Sequence, residues 1–160
     1  KNYKLILGGP HQSKNEYNQY LKTLRLRDKY KLNNRIIILE GFVNNFNEYL
    51  WASDVMAFPV SKEEGFGTPV VEAQACGIPV VSNNIKDLTK HYIKDGIGGY
   101  SSKLNEKKFA QKIKLTSKIK KNTLKKNALN FLDQISTEVI DNEYFNLISK
   151  LVNEKNNTSY

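Results

Sequence analysis

The stretch Glu64-Gly-Phe-Gly-Thr-Pro-Val-Val-Glu72, continued by Ala73-Gln-Ala-Cys-Gly-Ile-Pro-Val-Val81, decides the fold prediction. Thr68 suits a helix N-cap, and Pro69 suits the first helical position, where a missing N–H costs nothing. Gly77 is a natural residue to end the helix, because glycine adopts the left-handed conformation found there. The sequence therefore predicts a loop, a short and sharply bounded helix, and then a strand.

Two carboxylates, those of Glu64 and Glu72, lie eight positions apart around the predicted helix start. The first turn of a helix leaves N–H groups unpaired and carries a partial positive charge, so it favours an anion such as a diphosphate. Gly65 and Gly67 let the backbone come close to such a ligand. Carboxylates accept hydrogen bonds from pairs of sugar hydroxyls. The pattern indicates a sugar-phosphate site; the plainer alternative is that Glu72 only complements the helix dipole.

Strands and helices alternate along the chain. Short apolar runs rich in Ile and Val predict strands, and apolar residues at helical spacing predict helices between them. Predicted strands are 3–8, 35–39, 55–58 and 79–82, and predicted helices include 14–31, 46–52 and 136–152. Such alternation is typical of an α/β fold with a parallel sheet covered on both faces, whose ligands bind beyond the carboxyl ends of strands. We expect one domain over 1–152 and a polar, frayed tail over 153–160.

Composition limits the remaining classes of protein. The chain has 160 residues, of which 39% are hydrophobic, enough for a real core. No apolar run reaches the ~18 residues of a membrane span, and no signal peptide opens the chain. Its single cysteine, Cys76, is expected to be a small packing residue. These features favour a reducing, cytoplasmic setting.

The basic character of the chain is concentrated in one segment. Residues 103–126 hold ten lysines and one acidic residue, Glu106, a net +9 that equals the charge of the whole chain. Phe109, Ile113 and Thr116 fall on one helical side, which predicts an amphipathic helix with lysines outward. A solvated face is one interpretation, and peripheral contact with an anionic membrane is the other. Nucleic acid is not expected as a partner, because no aromatic residues interleave with the lysines.

The string EGFGTPVVEAQACGIPVV resembles the Glu-x7-Glu signature of retaining glycosyltransferases with the GT-B architecture, and especially those of family 4. Four more segments resemble elements of that family in the same order: Leu5–Pro10, Ile37–Val43, Trp51–Pro59 and Ile93–Tyr100. The resemblance covers roughly the first 100 residues. It implies a Rossmann-like domain, the C-terminal, donor-binding half of a GT-B enzyme.

For the whole enzyme, the resemblance implies transfer of a hexose from a nucleoside diphosphate sugar to a glycan or lipid-linked acceptor in glycan biosynthesis, with retention at the anomeric carbon. The resemblance implies that Glu72 binds the ribose hydroxyls. It also implies that Glu64 binds the hexose and is the catalytic residue. Thr68 would lie near the phosphates. The expected donor-binding residues are Gly8, Gly9, Gly41, Phe42, Val43, Glu64, Gly65, Phe66, Gly67, Thr68 and Glu72. No Asp-x-Asp pair occurs in the sequence, and we expect neither a metal nor a cofactor.

The family clamps the donor diphosphate with an Arg and a Lys that would lie upstream of Lys1, as would the acceptor-binding domain. The chain alone is therefore expected to bind donor weakly and to be inactive. His91 is a departure, since it stands where the family often has Glu. Nucleotide-sugar epimerases and glycogen phosphorylases also have the GT-B fold, so these enzyme classes are alternatives. A non-catalytic module that binds a nucleotide sugar is a further alternative.

Overall fold

The structure, a computed structural model, describes residues 3–60, 67–83 and 93–157. In chain order the strands are β1 (Leu5–Gly9), β2 (Ile36–Glu40), β3 (Met56–Phe58), β4 (Val80–Asn83) and β5 (Gly99–Ser102). The helices are α1 (Lys14–Lys29), α2 (Phe46–Trp51), α3 (Thr68–Ala75), α4 (Glu106–Thr116), α5 (Lys121–Gln134) and α6 (Thr137–Asn157). The chain packs as two compact units, Lys1–Phe46 and Asn47–Tyr160. The prediction of a single domain over 1–152 stays a prediction.

The first unit is a β-α-β element. Strands β1 and β2 pair in parallel, with Leu5 opposite Ile36. Helix α1 between them begins with a capping box, in which the Ser13 hydroxyl accepts from the Glu16 amide at 3.2 Å and the Glu16 carboxylate accepts from the Ser13 amide at 3.1 Å. This exchange satisfies two amide donors that a helix start otherwise leaves unpaired.

The second unit is a parallel sheet in the order β3-β4-β5, flanked by helices. Helix α3 packs on β3 and β4, and its Val70 and Ala73 side chains are fully buried. Val80 and Val81 of β4 are fully buried as well, as expected for the central strand. The predicted α/β fold class, with parallel sheets flanked by helices, is confirmed.

The structure corrects three local predictions. Residues Gly99–Ser102, for which no strand is predicted, form β5, since they pair with the buried strand β4. The lysine-rich segment is two helices, α4 and α5, with a break at 117–120. Helix α6 continues to Asn157, past the residue 152 at which the prediction ends it; the fraying of the tail stays a prediction. No helix in the described ranges is long and apolar enough to cross a bilayer.

The carboxylate-bearing helix α3 starts differently from the prediction. Gly67, not Thr68, is the N-cap, and it lies in the left-handed region at φ 70° and ψ 50°. Glycine adopts this conformation without the steric cost that a Cβ brings. Thr68 is consequently the first helical residue and Pro69 the second.

We predict that Gly99→Ala destabilises the second unit by about 3 kcal/mol or more. An added Cβ would lie 1.9 Å from the Val80 carbonyl oxygen, a backbone atom within the β4–β5 pairing, at φ +150°. Gly96→Ala is the matched control. It also has positive φ, +79°, but its Cβ would meet nothing nearer than the Tyr100 hydroxyl at 3.9 Å.

The control substitution is expected to cost about 1–2 kcal/mol, the usual strain of an L-residue in this region. The measurement is the free energy of unfolding from urea titrations of both variants and the parent chain. Equal losses for the two variants would contradict the close approach of β4 and β5 at Gly99.

Candidate nucleotide-sugar site

Gly8 and Gly9 end strand β1, and in the parallel register they lie opposite Leu39 and Glu40 at the end of β2. The two predicted glycines are therefore at the carboxyl edge of the first unit, where ligands of parallel sheets bind. A Cβ on Gly8 would lie 3.0 Å from the Val43 methyl carbon Cγ2. The structure thus brings Gly8 and Val43 into contact, and a larger residue at position 8 would displace Val43.

The turn after β2 belongs to the same edge. Gly41 takes φ +80° and bridges to Gly9. The next residue, Phe42, has 80% of its surface exposed. A large aromatic side chain so exposed at a strand end offers a flat face on which a nucleobase can stack.

Aromatic rings cluster at this edge, and the sequence analysis does not single them out. The His11 and Tyr20 rings lie 4.4 Å apart, and the Tyr20 hydroxyl donates a hydrogen bond to the Glu40 carboxylate. That hydrogen bond is the main reason that the pKa of Tyr20 is raised. The spacing of Tyr17 and Tyr20 on α1 and the place of Glu40 after a strand were signals available in the sequence.

The start of α3 offers fewer free amides than the sequence predicts. The Gly67 carbonyl accepts from the Val70 amide at 2.8 Å and from the Val71 amide at 3.3 Å. Pro69 has no N–H to offer. Among the described contacts, Thr68 is therefore the one residue of the first helical turn whose N–H stays available. An anion here would meet the Thr68 amide and hydroxyl, together with the helix dipole, instead of a row of amides.

Glu72 lies half-buried on α3, one turn before Cys76. Burial raises the pKa of the Cys76 thiol, a hydrogen bond with Trp51 lowers it, and the negative charge of Glu72 raises it further. The Glu72 carboxylate, the thiol and the Trp51 indole therefore share one side of α3. Trp51, with 67% of its surface exposed, was not singled out as a site residue in the sequence analysis.

The backbone of Val60, which precedes Glu64 in the chain, is held by a residue that the sequence analysis does not single out. The Asn83 side chain, at the carboxyl end of β4, accepts from the Val60 amide at 2.7 Å and donates to the Val60 carbonyl at 2.9 Å. Through these two hydrogen bonds, the Asn83 side chain continues the contact between the two chain segments beyond the last backbone pair of β3 and β4. Glu64, Gly65, Phe66 and His91 lie outside the described residues.

The far side of α3 is held by a buried amide. Gln74, with 1% of its surface exposed, donates to the Gly98 carbonyl at 2.7 Å and accepts from the Asn127 amide at 2.6 Å. The helix is thus fixed in its rotation about its own axis, which determines where Glu72 points. No cluster of metal-ligating side chains occurs within the described ranges, and metal independence stays a prediction.

The family described as "Glycosyl transferases group 1" matches residues 1–131, so the chain belongs to this family. Together with the fold, this supports a GT-B glycosyltransferase C-terminal domain. Over 100 residues the chain is 37% identical to D-inositol 3-phosphate glycosyltransferase of Mycolicibacterium smegmatis, covering 59% of this chain and 21% of that protein.

Solved structures of other proteins share the fold, and two of them serve as examples. A glycosyltransferase from Rickettsia africae matches with a TM-score of 0.79 and 19% identity, over 95% of this chain and 41% of that one. Anabaena Alr3699/HepE in complex with UDP matches with a TM-score of 0.77 and 20% identity, over 92% and 41%. The matched part of this chain spans about a fifth of the curated relatives (19% and 21%).

The thiol of Cys76 gives a prediction that follows from this geometry. Because burial raises its pKa, the reactive thiolate forms at a higher pH in the folded chain than in the chain unfolded in urea. Glu72→Gln removes a charge that raises the pKa, so the pH of half-maximal reactivity should fall. Trp51→Phe removes a hydrogen bond that lowers the pKa, so it should rise.

The measurement is the rate of iodoacetamide alkylation from about pH 7 to pH 11, which reports Cys76 alone because the chain has one cysteine. The control is Glu48→Gln on α2, which is expected to leave the profile unchanged. Identical profiles for the folded and the unfolded chain would contradict the placement of Cys76. A rise with Glu72→Gln would contradict the placement of Glu72, and a fall with Trp51→Phe would contradict that of Trp51.

Proposed function

We propose that this chain is the donor-binding part of a retaining glycosyltransferase that transfers a hexose from a nucleoside diphosphate sugar to a glycan or lipid-linked acceptor. The proposal rests on the geometry of helix α3, together with the match of residues 1–131 to a glycosyltransferase family. This helix begins at a left-handed glycine after the loop of Glu64 and carries Glu72 half-buried on its exposed side.

On α3, the diphosphate meets the Thr68 amide and hydroxyl at the positive end of the helix dipole. The Glu72 carboxylate accepts hydrogen bonds from the ribose hydroxyls, since an ionised carboxylate is an acceptor of two such bonds at once. Glu64 binds the hexose as the catalytic residue, and the Phe66 and Gly67 amides assist. Asn83 supports this role indirectly, because its paired hydrogen bonds hold the backbone at the start of that loop.

In the first unit, the turn Gly41–Val43 contacts the nucleobase, and Gly8 with Gly9 keeps the edge of the sheet free of side chains. Support comes from the exposure of Phe42 and from the positive φ of Gly41, which turns the chain at the strand end. UDP is the first nucleotide to test, because Alr3699/HepE was solved with UDP and with UDP-glucose. We propose no metal and no cofactor, and we propose that the chain alone binds donor weakly without transferring sugar.

A peripheral contact with the cytoplasmic face of an anionic membrane is proposed for the lysines of 103–126. Nine of them are exposed, and within the described residues only Lys112 forms an ion pair, with Asp95. Lys107, Lys114 and Lys118 share the outer side of α4 and its end, opposite the buried Phe109.

Charge reversal tests that contact. Lys107→Glu with Lys114→Glu and Lys118→Glu should reduce sedimentation with phosphatidylglycerol vesicles about tenfold or more, since each lysine near such a surface contributes ~1 kcal/mol. The matched control reverses Lys14, Lys22 and Lys29 of α1. Equal losses in both triple variants would show general charge attraction and contradict the proposed surface.

The donor proposal is tested by titrating the isotope-labelled chain with UDP, UDP-glucose, GDP and ADP and following backbone amide shifts. We expect saturable shifts at 41–43 and 67–72 with one nucleotide. Glu72→Gln should weaken that binding about tenfold or more, because a hydrogen bond to a charged group contributes ~1.5–3 kcal/mol. Glu48→Gln, an exposed glutamate on α2, is the control and should bind as the parent does.

Binding that Glu72→Gln leaves intact would contradict the assigned role of Glu72. Shifts confined to residues away from α3 would contradict the donor site altogether. Assays of sugar transfer and of epimerisation, made on this chain together with an acceptor-binding half of the GT-B type, then separate a transferase from an epimerase and from a non-catalytic binding module.

A further inference from the structure

A groove of ≈ 500 Å³ lies between helix α5 and the turn that leads into β5. That turn is at the amino end of β5, whereas the loop before α3 follows the carboxyl end of β3. In a parallel sheet these are opposite edges, so the groove is separate from the candidate donor site on α3. Its volume lies within the range of sites that bind small molecules, ~300–1,000 Å³.

The lining of the groove is dominated by hydrogen-bonding side chains without charge. Asn122, Asn130 and Gln134 are exposed along one side of α5, and Asn127 lies deeper between them. A side-chain amide offers two donors and a carbonyl acceptor, and so matches the adjacent hydroxyls of a sugar ring. Several amides in one groove therefore favour a polyhydroxylated ligand.

The groove also carries positive charge. Lys94 and Lys126 are part of its lining, no carboxylate is, and neither lysine forms an ion pair within the described residues. Such cations favour carboxylate or phosphate groups on the ligand. The floor includes Ile97 and the buried ring of Phe131, apolar surface on which the C–H faces of a sugar can rest. The lining offers no exposed aromatic ring for base stacking, which disfavours a nucleic acid.

The inner wall of the groove is held in place before any ligand arrives. The Asn127 amide donates to the buried Gln74, which in turn donates to the Gly98 carbonyl. The same carbonyl accepts from the Val80 amide at 3.0 Å. The deep amide of the groove is thus tied to α3 and to β4, and less entropy is lost when it binds a ligand.

We infer that this groove binds a short segment of an acidic oligosaccharide, a glycan whose carboxylates or phosphates face Lys94 and Lys126 and whose hydroxyls face the amides of α5. The ligand class accords with the proposed function, since a glycosyltransferase handles glycans, but the groove is a second site and its occupancy does not require a nucleotide. It would retain a growing chain away from the site of transfer.

The probes are trigalacturonate, an acidic trisaccharide, and maltotriose, a neutral one, each titrated against the isotope-labelled chain. The side-chain amide signals of Asn122, Asn127, Asn130 and Gln134 report the groove directly. We expect saturable shifts with trigalacturonate that are confined to these amides and to the backbone of 94–98 and 122–134. Signals of 67–72 respond to UDP and not to trigalacturonate, so either site can fail without the other.

Two double variants with the same change in charge test whether binding depends on the two lysines of the groove or on general charge attraction. Lys94→Gln with Lys126→Gln should weaken trigalacturonate binding about tenfold or more, whereas Lys22→Gln with Lys29→Gln, equal in charge and outside the groove, should change it less than about twofold. Asn130→Ala should weaken it without a change in charge. All these positions are exposed, so each variant keeps the parent spectrum outside the groove.

Three results would overturn the inference. Equal weakening in both double variants would show general charge attraction. Equal affinities for maltotriose and trigalacturonate would show that the lysines do not select for acidic groups on the ligand. Absence of saturable shifts with trigalacturonate at millimolar concentration would show that the groove is not a site for this class of ligand.

Discussion

The buried side chain of Gln74 is the contact on which the geometry of the second unit depends. Its two hydrogen bonds connect helix α3 to the Gly98 turn and to helix α5; Gln74 and Gly98 are buried, and Asn127 is half-buried. A buried amide that lost these partners would cost about 1–3 kcal/mol, so the three elements are held in one arrangement. A Cβ on Gly98 would approach Gln74 Oε1 to 2.6 Å, so a larger residue there would force the Gln74 amide to shift away from its hydrogen-bonded position.

The hydrogen bonds of Gln74 also determine the position of Glu72 in the candidate site. Gln74 and Glu72 fall on different sides of α3, so fixing one side directs the other. The start of α3 is fixed separately by Gly67, whose left-handed conformation turns the chain from the signature loop into the helix. Asn83 holds the backbone of Val60, the last described residue before the segment that carries Glu64. Three polar or glycine contacts thus position a carboxylate and a helix start.

Much of the fold was predictable because local pattern and tertiary burial agree. The runs 35–39, 55–58 and 79–82 are apolar and short, and each forms a strand within a residue or two of the prediction. Strand β5 was not predictable in this way. Its residues, Gly99-Tyr-Ser-Ser, carry no apolar run, and their pairing is determined by the neighbouring strand β4. The break between α4 and α5 likewise lacks the Gly or Pro that usually signals one.

The site residues divide in the same way. The sequence singles out Gly8, Gly41, Gly67 and Glu72, because their types and spacing resemble the family signature, and their roles in binding a donor stay predictions. The structure shows that Gly41 and Gly67 take positive φ, a backbone conformation that favours glycine. Residues that act through contacts distant in sequence were missed, among them Trp51 beside Cys76 and Glu40 beneath the Tyr20 hydroxyl. The amide-lined groove was also invisible, since it arises only when α5 lies against the β5 turn.

The central claim is that helix α3 and its carboxylate bind a nucleoside diphosphate sugar. The most direct test is a crystal structure of the chain grown with UDP-glucose at millimolar concentration. We expect density for the diphosphate beside the Thr68 amide and hydroxyl, and for the ribose within hydrogen-bonding distance of the Glu72 carboxylate. Ligand density away from α3, with Thr68 and Glu72 contacting only solvent, would contradict it.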